Sequence, residues 1–349
     1  SSSSAPATAS AGRRPSPSSF VVEIAASLDA TGRFDSSGDA PLTRVLRELE
    51  QRRVRVIASY CCTVLALIVA IPIAASPLLL LARVDPTHLP TIGLVGAAAS
   101  FVTLLAGVWA FRRFAWLPKL HYLHDYKTQV FAAVCRHHFP GLRYLPDGGM
   151  PFRLLDESQL FPFACDVYTS EDRFEGRVGA TDICFSEAKA QRERRRGFGQ
   201  NRETVYETYF RGIVFSADFQ KHFRSTTRLL PKGADRNRVA RESAAELEDP
   251  SFNAVFDTLT TDQVDVRYVL SPSLMERLTA LAARFRGLRA LFADGRLLLL
   301  LPTNRNRFEA SLLERADNQG QIDSFIGDAA ACLGIVEALD LNTRIWSKS

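Results

Sequence analysis

The sequence predicts an α+β protein in which a transmembrane helix hairpin precedes a domain built on an antiparallel sheet. Three observations carry this expectation. Two uncharged runs, 56–82 and 86–111, each exceed the roughly 20 apolar residues that a bilayer span requires. Beyond residue 146 the pattern switches to extended apolar segments separated by turn residues. A strand, a helix and a tight hairpin then follow one another, an order that suits helices packed on an antiparallel sheet.

The chain opens SSSSAPATASAGRRPSPSS, and 1–43 holds too few apolar side chains to offset ordering entropy. It is read as a disordered tail. Arg13 and Arg14 suggest a twin-arginine signal, but no apolar stretch follows where one is needed. The first residue is Ser, and the true N-terminus is expected upstream.

The run VIASYCCTVLALIVAIPIAASPLLLLA begins too deep in the chain for a cleaved signal peptide. Only Arg83, Val84 and Asp85 separate it from the second run, so spans at about 56–82 and 88–111 must form a hairpin. Pro72 and Pro77 are expected to kink the first span, which neighbouring helices tolerate. Gly96 with Ser100, and Thr103 with Gly107, are small-xxx-small pairs that permit close helix contact, homo-oligomerisation included.

Orientation follows from the basic residues. Arg44, Arg47, Arg52, Arg53 and Arg55 precede the first span, and Arg112, Arg113 and Lys119 follow the second. The connecting loop offers Arg83 alone, which places both termini in the cytoplasm. Arg52, Arg53, Arg112 and Arg113 are candidate contacts for anionic headgroups; setting topology alone is the competing role.

WLPKLHYLHDYKTQVFAAVCRHHF then reads as a helix leaving the membrane, with 121–145 as a juxtamembrane segment. Leu120, Leu123, Lys127, Val130, Val134 and His138 trace one rough face. His121 with His124, and Cys135 with His138, share faces, but without further ligands they do not define a metal site. Pro140-Gly141 ends the helix, and PDGG at 146–149 is turn chemistry.

The cytoplasmic α+β domain spans 146–313. Residues 177–191 and 204–215 read as a long hairpin whose tip carries Arg192, Arg194, Arg195, Arg196 and Arg202. Val264, Val266, Tyr268 and Leu270 alternate with Asp265, Arg267 and Val269 like a half-buried strand. Ser271-Pro272 starts a helix with Leu274, Leu278, Leu281 and Phe285 on one face. The Asp294-Gly295 pair is the turn expected between two tightly joined strands. A C-terminal helix closes the chain within 314–349. The segment FRGIVFSADFQKHF reads as a core strand ended by Asp218, the N-cap of a short helix at 219–223.

Composition excludes several classes. A net charge of +5 over 349 residues is no argument for nucleic acid. The six cysteines show no C-x-x-C spacing and suit neither a zinc framework nor a secreted disulfide scaffold. No phosphate loop, G-x-S-x-G or H-E-x-x-H occurs. The basic tip can meet phosphates or lipid, although charged tips commonly serve solubility. Asp172, Glu187, Asp218 and His222 are candidate binding residues, with strand-end and solvent-face acids as the commoner reading. No catalytic residue, metal or cofactor is assigned.

Taken in order, YTSEDRFEGRVGATDICFSEAKA (168–190), FRGIVFSADFQKHF (210–223), LEDPSFNAVFDTLTTDQVDVRYVLSPSLMERL (247–278), RNRFEASL (305–312) and LDLNTRIW (339–346) resemble a bacterial family known as domain of unknown function 3137. The resemblance covers nearly everything from residue 44 onward. It implies a two-span protein of the bacterial inner membrane with a cytosolic α+β domain, and a membrane partner of the LemA kind. No activity comes with it. The favoured reading is a membrane-anchored binding or scaffold module that docks a membrane or cytoplasmic protein. An anion- or lipid-sensing domain using the basic tip and a hydrolase centred on Asp218 and His222 stay open beside it.

Overall fold

The computed structural model describes residues 40–80, 89–161, 163–196, 203–221, 223–235 and 242–342. The expected tail, the loop at Arg83–Asp85, the turn of the basic tip with Arg202, and His222 lie outside the described residues. The chain divides into two compact units. Of the described residues, one comprises 40–148 together with Asn306–Ile326, and the other Gly149–Arg305 together with residues from Gly327 onward.

In the first unit, α1 (Ala40–Leu80) joins the basic flank and the first apolar run in one helix that continues past Pro72 and Pro77. The second run forms α2 (Leu89–Ala110). Both helices are long and apolar enough to cross a membrane. Their large side chains face away from protein: Leu65, Ile68 and Val102 are 62%, 61% and 63% exposed. Gly107 sits so close to α1 that a Cβ there would lie 3.0 Å from Leu67. One of the predicted small-residue pairs therefore serves the contact between α1 and α2.

A π-turn (Phe111–Trp116) leads into α3 (Leu117–Tyr126), a second π-turn (Lys127–Phe131) and α4 (Ala132–His138). Each π-turn widens the helical repeat and resets which side chains face inward. The predicted face therefore holds at four of its six positions. Lys127, Val130, Val134 and His138 are buried, but Leu120 is exposed, and Tyr122 and Tyr126 take the inner side instead. The helix ends at Phe139 as expected, before the short strand β1 (Leu142–Leu145).

The second unit is an antiparallel sheet with helices, as predicted. Its elements are α5 (Phe152–Ser158), β2 (Val167–Val178), β3 (Thr181–Arg196), β4 (Glu203–Asp218), β5 (Thr227–Pro231) and β6 (Ser243–Ala245). Then come α6 (Pro250–Val255), β7 (Phe256–Thr260), α7 (Asp265–Val269), α8 (Pro272–Arg284), β8 (Arg289–Ala293) and β9 (Arg296–Pro302). Helix α9 (Gln319–Ala338) runs through the boundary between the units. Strand order within this unit is β2-β3-β4-β9-β8-β5-β7-β6.

Strand β9 lies inside the sheet, and Leu297 through Leu301 are all buried, so neither of its faces meets water. Phe174, Phe185 and Phe215 stand in register across β2, β3 and β4, with stacked centroids at 4.6 and 6.2 Å. On the opposite face Ala188, Val214, Leu298 and Leu300 pack with Leu155 and Leu160 of the α5 region. The Asp294-Gly295 turn has positive φ at both residues (52° and 67°), the two-residue hairpin predicted.

Two elements differ from expectation. Residues 264–270 are not a strand: Asp262 accepts from the amides of Val264 and Asp265 at 2.7 and 3.0 Å and starts α7. These same bonds hold its carboxyl below the ordinary carboxylate range. Val266 and Val269 are buried at helical spacing, while Val264 is 79% exposed. The apparent alternation masked a cap, and the strand lies just upstream as β7. Nor does Asp218 cap a helix, because Phe219, Gln220, Lys221 and Phe223 are not helical. Instead Phe219 N–H donates to the Gly295 carbonyl at 2.8 Å, carrying the β4–β9 pairing one step further. Phe219 then packs edge-on to Phe223 and Phe292.

Candidate functional site

The three candidate acids do not all come together. Asp218 lies at the end of β4 opposite Arg296, with which it pairs at 3.3 Å. One strand over, Asp182 pairs with Arg177 at 2.7 Å, directly across the β2–β3 ladder. The four side chains form a row over four strands, with Arg177 and Arg296 flanking the neighbouring carboxylates Asp182 and Asp218. The Arg177 hydrogen bond, above all, holds the Asp182 carboxyl below its usual range.

Glu187 lies mid-strand, opposite Glu171 on β2 and Ile213 on β4. Asp218 is five residues further along β4, about 16 Å at the usual strand rise. Asp172 is buried at the β2 irregularity near Glu171, with φ of 56°. Asp172 and Glu187 are thus near neighbours in register, and Asp218 stands apart from both.

Two arginines of the basic tip form ion pairs within their own hairpin. Arg194 pairs with Glu207 at 2.6 Å and Arg195 with Glu193 at 3.4 Å. Arg192 stacks over Phe163 at 4.8 Å, and Arg196 faces Glu203 across the ladder. Of the juxtamembrane arginines, Arg53 is structural: it binds Glu50 at 2.8 and 2.9 Å, and Glu50 in turn accepts from the Ala316 amide. Arg52 pairs with Asp125 at 2.6 Å. Arg112 and Arg113 are exposed.

Two places that sequence reasoning missed are better formed. The first is a cleft of about 130 Å³ lined by Phe219, Lys221, Ser271, Ser273, Arg277 and Leu341, among others. Lys221 Nζ donates to the carbonyls of Tyr268 and Val269 at 2.7 and 3.2 Å and lies 5.2 Å over the Tyr268 ring. Burial pushes its pKa down. Arg277 pairs with Asp340 at 3.3 Å on the other wall. Three separate stretches of chain build this cleft, so no local motif announces it.

The second is the foot of the apolar pair. Ser59 Oγ donates to the Phe114 carbonyl at 2.6 Å, tying α1 to the first π-turn. Around that tie stand Trp109, Phe114 and Trp116, which are 62%, 46% and 47% exposed. The signal that could have found it is the set of tryptophans and phenylalanine beside the arginines, residue types that gather at membrane interfaces. Among the described residues, no three His, Cys, Asp or Glu side chains gather closely enough to hold a metal ion.

The chain thus joins two helices long and apolar enough to cross a membrane to an α+β domain. Residues 208–341 match the profile of a family described as Protein of unknown function (DUF3137). No curated protein matches the chain. Among solved structures it is similar to the mycobacterial trehalose monomycolate transport factor A, TtfA. Identity there is 11% and the TM-score 0.32, over 58% of this chain and 92% of that one. A likeness so distant carries no argument about function.

Proposed function

We propose that the chain is a membrane-tethered docking module of the bacterial inner membrane, with both termini and the α+β unit in the cytoplasm. The observation that carries this reading is the joining, in one chain, of two bare apolar helices to a separately packed α+β unit. Arginines on both outer flanks against Arg83 alone in the loop support the orientation. A cysteine placed at Thr87 should react with a membrane-impermeant thiol reagent on intact cells, and one placed at Arg153 should not.

The partner is a membrane or cytoplasmic protein, with a LemA-like protein the first to test, and the cleft at Lys221 and Arg277 is its docking point. Lys221 and the Arg277–Asp340 pair beside an apolar floor of Phe219 and Leu341 suit a partner segment that brings a polar group together with an apolar side chain. A photo-reactive residue at Gln220 in the full chain should cross-link one enriched protein in native membranes. Lys221→Glu with Arg277→Glu should remove that product. Enrichment no greater than that of a control ending at residue 120 would sink the reading.

A further inference from the structure

We infer that the foot of the membrane pair binds an anionic phospholipid, its headgroup at Arg112, Arg113 and Lys119 and an acyl chain in the groove between α1 and α2. This rests on the membrane-spanning reading of the two helices.

The Ser59–Phe114 hydrogen bond fixes which residues share a level. Arg55 lies one turn before Ser59, and Lys119 lies little more than a turn beyond Phe114, so both flank the same height as Arg112 and Arg113. No Asp or Glu occurs in 51–84 or 86–124, and the next acid, Asp125, is engaged by Arg52. Earlier on α1, Glu48 and Glu50 are engaged by Arg44 and Arg53, so the basic residues at this level outnumber the acids near them. Rings share the level: Trp109 meets Phe114 edge-on at 5.8 Å, Arg113 lies 5.7 Å over Phe114, and Lys119 lies 5.8 Å over Trp116. Cations and exposed rings at one height are what a bilayer interface selects.

From this foot a groove of about 980 Å³ runs between the helices, from Ser59 and Phe114 to Ile71 and Ser100. Gly107 brings the helices together at Leu67, while Ala66, Ala70 and Ala106 leave room beside that contact. Inside hydrocarbon such a groove is filled, and its occupant must be apolar along its length and negative at its foot. An anionic phospholipid meets both conditions, whereas a zwitterionic one carries no net charge to offset the basic foot. The same helices of a second, parallel copy would bring a second set of arginines to this level, where like charges repel.

A basic residue near an anionic surface is worth about 1 kcal/mol, or about fivefold in preference. The test reconstitutes the full chain in phosphatidylcholine discs holding a minor fraction of phosphatidylglycerol, then measures the lipid retained after mild detergent extraction. Phosphatidylglycerol should be enriched about fivefold or more over its bulk share. The combined variant Arg112→Gln, Arg113→Gln, Lys119→Gln should return to the bulk share, the five arginines before α1's apolar run still setting topology. Ala66→Leu, which fills the groove and leaves every charge in place, should also lower the enrichment. An inserted wild-type chain at the bulk ratio overturns the lipid site and leaves the spanning reading standing. A chain that fails to enter discs overturns both. Efficient disulfide dimerisation through Ala66→Cys would place a second copy in the groove and overturn the site.

Discussion

The apolar stretch of α1 and strand β9 are written in the same residues and meet opposite fates. Leu65, Ile68, Val69 and Ile71 stand about three-fifths exposed, while Leu297, Leu299, Leu300 and Leu301 are fully buried. Neither segment alternates with polar residues, so composition alone does not separate them. Length does. A helix of some 20 apolar residues satisfies its own backbone and can face lipid, whereas a strand leaves its amides to neighbours on both sides. The apolar face of α1 awaits a solvent, and that of β9 has already found β4 and β8.

Matched truncations test this contrast, and they should give the largest effects. Phe215→Ala, between Phe185 and Leu299, should cost about 3–5 kcal/mol. Ile68→Ala should leave stability within about 0.5 kcal/mol. Urea unfolding of the full chain in detergent checks both, and equal losses would erase the distinction between the regions.

Next comes the buried charge of the sheet unit. Arg228 donates to the Ser158 carbonyl at 2.7 Å and pairs with Glu242, both side chains under a tenth exposed. Burial pushes the guanidinium down to about 10. Arg228→Met strands a buried carboxylate and should cost about 3–5 kcal/mol. Adding Glu242→Leu should recover most of that loss, which unfolding midpoints would show.

A smaller effect tests the close strand contact. A Cβ at Gly212 would lie 2.0 Å from the Leu301 carbonyl oxygen, so Gly212→Ala should cost about 1–3 kcal/mol by prying β4 from β9. Hydrogen exchange of the β9 amides reads this directly.

The smallest effect concerns the cap of α6. Asp249 accepts from the Ser251 hydroxyl at 2.6 Å and from the Ser251 and Phe252 amides, and the hydroxyl bond, above all, holds its carboxyl below 3.8. A folded value below the unfolded one gives stability that is present above pH 3.8 and lost as pH falls through the folded value. Asp249→Ala should therefore lower the urea midpoint slightly at pH 7. The gap from wild type should close in acid; an unchanged gap would remove ionisation from the account.

Much of the fold was legible because its signals are local. The two uncharged runs, the Asp294-Gly295 turn, the Ser271-Pro272 helix start and the long β3–β4 hairpin each need only neighbouring residues to be read. Misreadings came where a cap outweighed a pattern, as at Asp262, or where strand pairing outlasted it, as at Phe219. The site was less legible. Asp218 and Glu187 were both candidate binding residues, but the sheet sets Asp218 about five residues along β4 from the position opposite Glu187 and gives it to Arg296.

By itself the sequence determined that this chain has two membrane-length apolar helices, a charge asymmetry across them, and an α+β domain with one defined tight hairpin. Hydrophobic length, loop charge and turn chemistry are properties of short contiguous stretches. Only the tertiary structure decided that Lys221, Ser273, Arg277 and Leu341 line one cleft, and that Ser59 meets Phe114 at the foot of the membrane pair. Both sites are assembled from segments distant in sequence, and strand register and helix pairing, which no local pattern encodes, bring them together.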